Sequence, residues 1–288
     1  MTSPILMTAS LSPAEMVAAT AARGRRMETP LSDRPLVWHA FGEGRPLVLL
    51  HGGYGSWTHW IRNVGPLARS RLVLVPDMPG FGDSGDPEDK LTAQGVAAPV
   101  LTGLDEIIGP ETRFDIAAFS FGGSVAGLLA ASQGRRVGHV VLVGSGGLRL
   151  PRAPQVELRN ISLLKDPAAL MEAHRANLGL FMFHRPTSVD ELSVHLQAAN
   201  VARARVKSRR ISRMGVLHDA LPQISARLVG IWGEEDVTCR GHLDEREALL
   251  KAHDPEAGFH RLEGAGHWVQ YENADEVNAI LARELGLD

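Results

Sequence analysis

The chain has 288 residues, a formal net charge of −3 and one cysteine, Cys239. Apolar residues make up 44% of the chain and charged residues 22%, which excludes an intrinsically disordered protein, and the small net charge argues against nucleic acid as the main partner. No apolar run reaches the ~18 residues of a membrane span, no secretory signal is evident, and a lone cysteine excludes an internal disulfide, so we expect a soluble, cytoplasmic protein.

The N-terminal part of the chain is predicted to hold a leader and the first strands of a sheet. Residues 1–34 form the predicted leader, whose helix opens at Ser12 with a capping box and a proline at the first helical position. Short strands are expected at 27–29 and 36–41. The continuous apolar run 46–50 is typical of a strand buried on both faces of a parallel sheet.

This buried strand runs into a glycine-rich loop, His51-Gly52-Gly53-Tyr54-Gly55, which a helical pattern follows over 59–69. Glycines at such a place let backbone N–H groups point into a shared cavity, as a developing oxyanion requires. Gly53 is therefore a candidate oxyanion donor and Tyr54 a candidate substrate contact. A phosphate-binding loop is the rival interpretation, but its Gly-Lys-Ser/Thr ending is absent. We interpret His51 as a residue that orients the loop, with a catalytic base as the alternative.

A serine in Gly82-Asp83-Ser84-Gly85 competes for the role of nucleophile, since this motif is typical of chymotrypsin-like proteases. Those proteases are all-β and order their triad His, Asp, Ser, whereas this chain alternates strands with helical stretches. We therefore interpret Asp77 and Ser84 as turn-forming residues.

The stronger candidate is Ser120, where an apolar strand predicted over 113–118 meets a helix predicted over 121–133. A Gly-x-Ser-x-Gly elbow needs small residues two places before and after its serine, because strand and helix cross closely there. Ala118 and Gly122 meet that need. The alternative is a serine that only caps a helix or forms a turn.

Both neighbours of Ser120 are phenylalanines. The N-terminus of the helix brings the Phe121 N–H and a positive dipole end beside the serine, so Phe121 is the second candidate oxyanion donor. Phe119 is a candidate substrate contact.

The pattern changes after a strand predicted over 137–143. Residues 148–222 hold almost no strand-like run and several amphipathic helical ones, the clearest at 166–178 and 188–214. An insertion of this kind can cover the carboxyl edge of a sheet, where open α/β sheets bind ligands. We predict that a helical cap, 148–222, is inserted into a core of 35–147 and 223–288. Its basic residues are interpreted as a solvated face: Arg203, Arg205, Lys207, Arg209, Arg210 and Arg213.

The last two predicted strands each end at a candidate catalytic residue. Asp236 follows the strand predicted over 227–232, where an acid can orient a histidine. His267 lies on a glycine-rich loop after the strand predicted over 258–262. Serine, acid and histidine thus each follow a buried strand in the chain order Ser120, Asp236, His267, which is the order of α/β-hydrolases.

From about Pro35 to Leu285 the chain resembles the α/β-hydrolase family, most of all the meta-cleavage-product hydrolases, which cut a carbon–carbon bond in 2-hydroxy-6-oxo dienoates. The motifs that carry this resemblance are His51-Gly52-Gly53, Arg62-Asn63-Val64-Gly65-Pro66-Leu67 and Gly266-His267-Trp268-Val269-Gln270-Tyr271-Glu272. It implies an α/β-hydrolase fold with a mostly parallel sheet, helices on both faces and a helical cap before the acid-bearing strand. Asn200-Val201-Ala202-Arg203 is similar to the segment that supplies the family's carboxylate-binding arginine, so the resemblance implies that Arg203 binds a carboxylate and Trp268 lines the pocket.

The serine motif departs from the family's Gly-Asn-Ser-Met-Gly, since Ala118-Phe119-Ser120-Phe121-Gly122 has a phenylalanine in the asparagine's place. This change favours a more apolar pocket, as in related carboxylesterases. We therefore expect a serine hydrolase acting on a small, largely apolar ester. A carbon–carbon hydrolase and a ligand receptor that keeps the hydrolase fold are the alternatives. No cofactor, metal, membrane or nucleic acid is expected, and self-association is left open.

Overall fold

An eight-stranded sheet forms the centre of the computed structural model, which describes residues 11–287 and so leaves the first ten residues of the predicted leader and Asp288 outside the description. The strands are β1 Arg25–Thr29, β2 Leu36–Phe41, β3 Pro46–Leu50, β4 Leu72–Pro76, β5 Phe114–Phe119, β6 Val137–Val143, β7 Arg227–Gly233 and β8 Gly258–Leu262. Their spatial order is β1-β2-β4-β3-β5-β6-β7-β8. β2 pairs antiparallel with β1 and β4, and every other pairing is parallel.

Eleven α-helices occur in the described part of the chain. They are α1 Pro13–Ala21, α2 Val64–Leu67, α3 Ala93–Ile108, α4 Gly122–Gln133, α5 Pro167–Phe181, α6 Glu191–Arg203, α7 Ser208–Ile211, α8 Val216–Ala220, α9 Leu243–His253, α10 Val269–Glu272 and α11 Ala274–Leu285. Short 3-10 helices lie at Trp57–Trp60, Gly134–Arg136, Pro186–Ser188 and Leu221–Gln223. None of the helices in this part of the chain combines the length and the apolar character needed to cross a membrane.

The two faces of the sheet bury separate hydrophobic layers, because successive side chains of a strand point to opposite faces. In β5, Ile116 and Ala118 join one layer, and Ala117 and Phe119 join the other. Side chains of α3, α4 and α8 pack into the first layer, and side chains of α2 and α11 pack into the second. The predicted fold class is therefore confirmed: a mostly parallel sheet has helices on both faces, and α5 to α8 precede the strand that leads to Asp236.

The capping box predicted at Ser12 is present, since its side chain and that of Glu15 bond each other's backbone N–H. The helix predicted over 59–69 is wrong as a single element, because a 3-10 helix and the short α2 share that stretch. The N–H groups of Ile61 and Asn63 bond the carbonyls three residues back, at 3.2 and 2.8 Å, so the backbone before α2 is wound more tightly than an α-helix.

The long helix predicted over 188–214 is also divided, into α6 and α7. The backbone turns extended at Ala204, and the N–H of Arg205 donates to the carbonyl of Gly80 at 2.8 Å instead of to its own helix. This link to the loop after β4 splits the basic run, so its arginines do not share one helical face.

Candidate active site

Ser120 lies at a strained turn between β5 and α4, at the carboxyl edge of the sheet. Its φ is 50°, in the left-handed region that serine rarely adopts, and its N–H donates to the carbonyl of Val143 at 2.9 Å. A Cβ on Gly122 would lie 2.7 Å from the carbonyl oxygens of Leu50 and His51. The small residue that the sequence led us to expect is therefore required, because β3 and α4 approach each other there.

The structure brings the three predicted catalytic side chains into one hydrogen-bonded row. His267 Nε2 lies 3.0 Å from Ser120 Oγ, and its Nδ1 lies 2.8 Å from Asp236 Oδ2. Asp236 is fully buried, and its Oδ1 accepts the Thr238 N–H at 2.8 Å. Burial alone would raise the pKa of Asp236, but the His267 ring and the Thr238 groups together hold that pKa below its usual value. The acid is thus suited to remain an anion that orients the ring.

Two buried histidines hold the loop that carries Gly53. His51 Nδ1 donates to the Gly52 carbonyl at 2.7 Å, and His51 Nε2 accepts the Met78 N–H at 3.0 Å. His59 Nδ1 accepts the Gly52 N–H at 3.1 Å. Burial lowers the pKa of His51 to about 4 and that of His59 well below its ordinary value, so both rings are neutral. His51 therefore orients the loop, as we interpreted it, and has no free nitrogen for a base.

The role of His59 in this loop was missed by the sequence analysis. Its ring lies 4.9 Å from Trp268 and 5.3 Å from Phe119, measured between ring centroids. No periodicity or motif singles it out, because it reaches Gly52 only through the fold. The signal that was available was a second histidine eight places after His51.

A cavity of about 130 Å³ opens over Ser120 and His267. Four further predicted residues line it: Gly53, Tyr54, Phe119 and Phe121. No hydrogen bond within residues 11–287 uses the N–H of Gly53 or of Phe121, so both donors are free for an oxyanion. The cavity also has lining residues that the sequence analysis did not assign to it: Gly144, Gly146, Arg152, Ala153, Gln155, Val156, Phe181, Met182, Ser208, Arg209, Ser212, Arg213, Val237 and Thr238.

Two predicted substrate contacts do not line this cavity. Arg203 pairs with Asp83 at 2.7 Å, because α6 ends against the loop after β4, where the Arg205 N–H bonds the Gly80 carbonyl. Trp268 is fully buried, stacks on Phe183 with ring centroids 5.5 Å apart, and donates its indole N–H to the carbonyl of His59 at 2.9 Å. Trp268 thus packs beneath the His267 loop instead of facing a substrate.

Ser84, the serine that competed for the role of nucleophile, has a structural role. Ser84 is fully buried, its Oγ donates to the Asp77 carbonyl, and it accepts the Val37 N–H at 2.8 Å. Asp77 in turn accepts the N–H groups of Trp57 and Asp83 at 2.8 and 2.9 Å. Both residues form the turn after β4, as we interpreted them.

Comparisons with known proteins agree with this architecture. The model of the alpha/beta hydrolase family matches residues 47–280. The chain is 30% identical over 255 residues to a 2-hydroxy-6-oxo-6-phenylhexa-2,4-dienoate hydrolase of Burkholderia cepacia, covering 83% of this chain and 87% of that protein. It is 28% identical over 258 residues to a 2-hydroxymuconate semialdehyde hydrolase of a Pseudomonas species, covering 84% and 87%.

Solved structures show the same fold. A meta-cleavage product hydrolase from Pseudomonas fluorescens superposes with a TM-score of 0.71 at 22% identity, covering 91% of this chain and 97% of that one. A thermophilic esterase from Thermogutta terrifontis superposes with a TM-score of 0.68 at 21% identity, with the same coverage. Carbon–carbon hydrolases and esterases thus share this backbone, and the fold alone does not choose between them.

Proposed function

Because this chain belongs to the alpha/beta hydrolase family, we propose that it hydrolyses a small carboxylic ester through Ser120, His267 and Asp236. The observation that carries the proposal is the row of contacts from Ser120 Oγ to His267 Nε2 at 3.0 Å and from His267 Nδ1 to Asp236 Oδ2 at 2.8 Å. The row opens into a cavity, so a carbonyl carbon has access to the serine oxygen.

The reaction divides into two acyl transfers. His267 Nε2 accepts the Ser120 proton as Oγ attacks the carbonyl carbon, and it then protonates the leaving alcohol to give an acyl-enzyme. A water molecule, deprotonated by the same ring, attacks the acyl-enzyme; the ring then returns this proton to Ser120 Oγ as the acid is released. Asp236 holds the ring in the tautomer with the proton on Nδ1 and stabilises the imidazolium. The N–H groups of Gly53 and Phe121 stabilise the oxyanion, worth on the order of 3 kcal/mol each.

The lining of the cavity supports a substrate that is largely apolar beside the reacting atom. Phe119 and Phe121 flank Ser120, and Phe181, Met182 and Val237 add further apolar surface. Apolar walls of this kind expel water from the acyl group and strengthen the hydrogen bonds to the oxyanion.

The segment 148–222 is proposed to act as a cap over this site. Met182, Ser208 and Arg209 lie within it and line the cavity, while Ser120 and His267 belong to the sheet core. A segment that supplies one wall of the cavity controls what reaches the serine.

Replacing the nucleophile tests the proposal. Ser120→Ala removes the attacking oxygen without creating a clash, so we expect turnover of 4-nitrophenyl acetate to fall by a factor of about 10³ or more while the circular dichroism spectrum is kept. A fluorophosphonate should label the unmodified protein at Ser120 and leave the variant unlabelled. Near-normal activity of the variant would exclude Ser120 as nucleophile.

A carbon–carbon hydrolase is the second candidate, favoured by the dienoate hydrolases among the relatives. Side-by-side kinetics of aryl esters and a 2-hydroxy-6-oxo dienoate, compared by kcat/KM, decide between the two reactions. Arg203→Ala adds a check, because its loss should impair dienoate cleavage alone if this arginine contacts the substrate as in that family. Its pairing with Asp83 outside the cavity predicts no such effect.

A ligand receptor on the same fold does not need an assembled serine–histidine–acid row. The hydrogen-bonded contact between Ser120 and His267 and the hydrolases among the relatives therefore favour an enzyme. Repeated turnovers per molecule in the ester assay distinguish the enzyme from a receptor, which would show a single or very slow turnover.

A further inference from the structure

Three arginines line the cavity over Ser120: Arg152, Arg209 and Arg213. No aspartate or glutamate is among the residues that line it, although acidic and basic residues are nearly balanced over the whole chain, at 33 and 30. The wall of the cavity is therefore positively charged on one side and apolar beside the serine.

Two arginines at and just after the end of α6 are paired with aspartates, whereas the three arginines that line the cavity are not. Arg203 pairs with Asp83 at 2.7 Å, and Arg205 pairs with Asp86 at 2.6 Å. Within residues 11–287, by contrast, no carboxylate lies within 4.0 Å of the guanidinium nitrogens of Arg152, Arg209 or Arg213. The basic run that the sequence led us to interpret as a solvated face thus holds two arginines bonded to aspartates, two that face the site, and the exposed Arg210, which does neither within the described residues.

The contacts of these three arginines leave their charges uncompensated. Arg213 donates to the neutral amide oxygen of Gln155 at 3.0 Å, and the guanidinium of Arg209 lies 5.8 Å from the centroid of the Phe181 ring. Burial among protein atoms lowers the pKa of Arg152, and the nearby charges of Arg213 and Arg246 lower it further, while Asp236 opposes this. Asp236 is already engaged by His267, so an anion from outside would relieve the repulsion between the arginines.

The order of the strands indicates the side of Ser120 on which Arg152 lies. Ser120 follows β5; Gly53 and Tyr54 follow β3 on one side of it, while Arg152 comes after β6 and Thr238 after β7 on the other. Arg152 is therefore on the opposite side of Ser120 from the loop that supplies an oxyanion donor. Ser212, the neighbour of Arg213, lies on the Arg152 side, because a Cβ on Gly146 after β6 would be 3.7 Å from Ser212 and 3.9 Å from Arg152. An anion bound there does not compete with the oxyanion for the Gly53 N–H.

We propose that the substrate carries a carboxylate a few bonds from its scissile carbonyl, and that Arg152 and Arg213 bind this carboxylate on the β6–β7 side of Ser120. Planar guanidinium groups match the two oxygens of a carboxylate, and the resulting hydrogen bonds are stronger than neutral ones. This inference rests on the proposed function in one respect, which is that Ser120 is the reacting atom. The proposed carboxylate site is distinct from Arg203, the residue that the resemblance to the meta-cleavage-product hydrolases implied for carboxylate binding.

Paired esters test the proposal by turnover, with the carboxylate placed on either half of the molecule. Mono-4-nitrophenyl glutarate is compared with 4-nitrophenyl valerate for the acyl half, and 4-acetoxybenzoate with 4-acetoxybenzamide for the alcohol half. In at least one pair we expect the unmodified protein to prefer the anion by kcat/KM. Arg152→Met and Arg213→Met should each lower the ratio of kcat/KM for the anionic ester to kcat/KM for its neutral partner about tenfold or more, since a hydrogen bond to a charged group is lost.

Arg210→Met is the matched control, because Arg210 lies in the same basic run, is exposed and does not line the cavity. It removes the same charge from the protein and should leave the preference for the anion unchanged. An equal effect of all three substitutions, or no effect of Arg152→Met and Arg213→Met, would overturn the proposal.

A binding measurement separates failure of the inference from failure of the proposed function. Isothermal titration calorimetry of glutarate with Ser120→Ala protein needs no turnover, and we expect the dissociation constant to rise about tenfold or more when Arg152→Met or Arg213→Met is added. Arginine-dependent glutarate binding without ester hydrolysis would reject the ester reaction and retain the carboxylate site. Ester hydrolysis together with glutarate binding that neither substitution weakens would retain the ester reaction and reject the carboxylate site.

Discussion

At the scale of single residues, Ser208 is a buried hydroxyl that the fold leaves without a partner. Its side chain has no exposed surface, its Oγ makes no hydrogen bond within the described residues, and it lines the cavity. A Cβ on Gly53 would collide with this oxygen, so Ser208 and the candidate oxyanion donor lie against each other. An unpaired buried hydroxyl destabilises a protein, which suggests that a bound substrate supplies the missing partner.

Ser208→Ala is accordingly expected to separate activity from stability. Loss of a hydrogen bond to the substrate should lower kcat/KM for an aryl ester about 5- to 20-fold. The free energy of unfolding should stay unchanged or rise, because the replacement removes a polar atom that had no partner. Urea unfolding and ester kinetics measure the two quantities. A variant that loses stability and keeps kcat/KM would show that the hydroxyl serves the fold.

At the scale of elements, α10 holds the His267 loop and the helical segment together through Glu272. The carboxylate of Glu272 accepts the N–H of Gly266 at 2.6 Å, that of Arg185 at 2.7 Å and that of His184 at 3.1 Å. Gly266 precedes the candidate base, and the other two donors lie between α5 and α6. One buried carboxylate therefore determines where the ring of His267 sits relative to the wall that covers it.

Glu272→Gln should therefore impair catalysis from outside the cavity. A glutamine amide has one acceptor atom in place of two, so at least one backbone N–H loses its partner, at a cost of about 1–3 kcal/mol in the free energy of unfolding. The misplaced His267 loop should lower kcat and slow fluorophosphonate labelling of Ser120. Asp275→Asn is the control, because Asp275 is an exposed carboxylate in the first turn of α11. It should change neither kcat nor the rate of fluorophosphonate labelling. Unchanged labelling in Glu272→Gln would refute this positioning role.

At the scale of the whole molecule, buried neutral histidines tie stability to pH. Burial lowers the pKa of His39 and of His51 to about 4 each, from 6.5, and that of His59 lies well below 6.5. Between pH 6.5 and 4 the unfolded chain binds protons at these positions and the folded protein does not. The contribution of these rings to the free energy of unfolding must then fall as the pH falls through this window, by up to about 3 kcal/mol for each of His39 and His51.

Urea unfolding at a series of pH values from 7 to 4 measures this dependence. His51→Asn should reduce the slope of the free energy of unfolding against pH across this window. Asparagine does not titrate, so the unfolded variant binds one proton fewer than the unfolded original protein. The pKa of Asp236 is held low in the folded protein, so this residue adds to the loss of stability only when the pH falls below about 3.8, its pKa in the unfolded chain. An unchanged slope in the His51→Asn protein would contradict the neutral, buried state of the His51 ring.

The fold and the positions of the candidate catalytic residues could be predicted because both follow from local patterns. The run 46–50 predicts a strand buried on two faces, and β3 has those bounds. Ser120, Asp236 and His267 each follow such a strand, and parallel strands bring their carboxyl ends to one edge. Their meeting within hydrogen-bonding distance is a consequence of that topology.

What the patterns could not give depends on contacts between distant parts of the chain. Periodicity predicts one helix through Arg203, but the bond from the Arg205 N–H to the Gly80 carbonyl breaks it. Trp268 follows the candidate base directly, yet it packs inward on Phe183 because the loop turns around Glu272. A residue's neighbours in space are not readable from its neighbours in sequence.

The amino-acid sequence by itself determined the fold class and which serine, acid and histidine are the candidates for catalysis, because strand burial and the serine elbow depend on residues within a few positions of one another. Only the tertiary structure decided which arginines face the serine. Arg203 and Arg213 belong to one basic run, but Arg203 ends α6 beside Asp83, and only the chain beyond the extended link at Ala204 brings Arg213 to the cavity wall. The charge of the cavity is thus a property of the path of the chain, which long-range hydrogen bonds set.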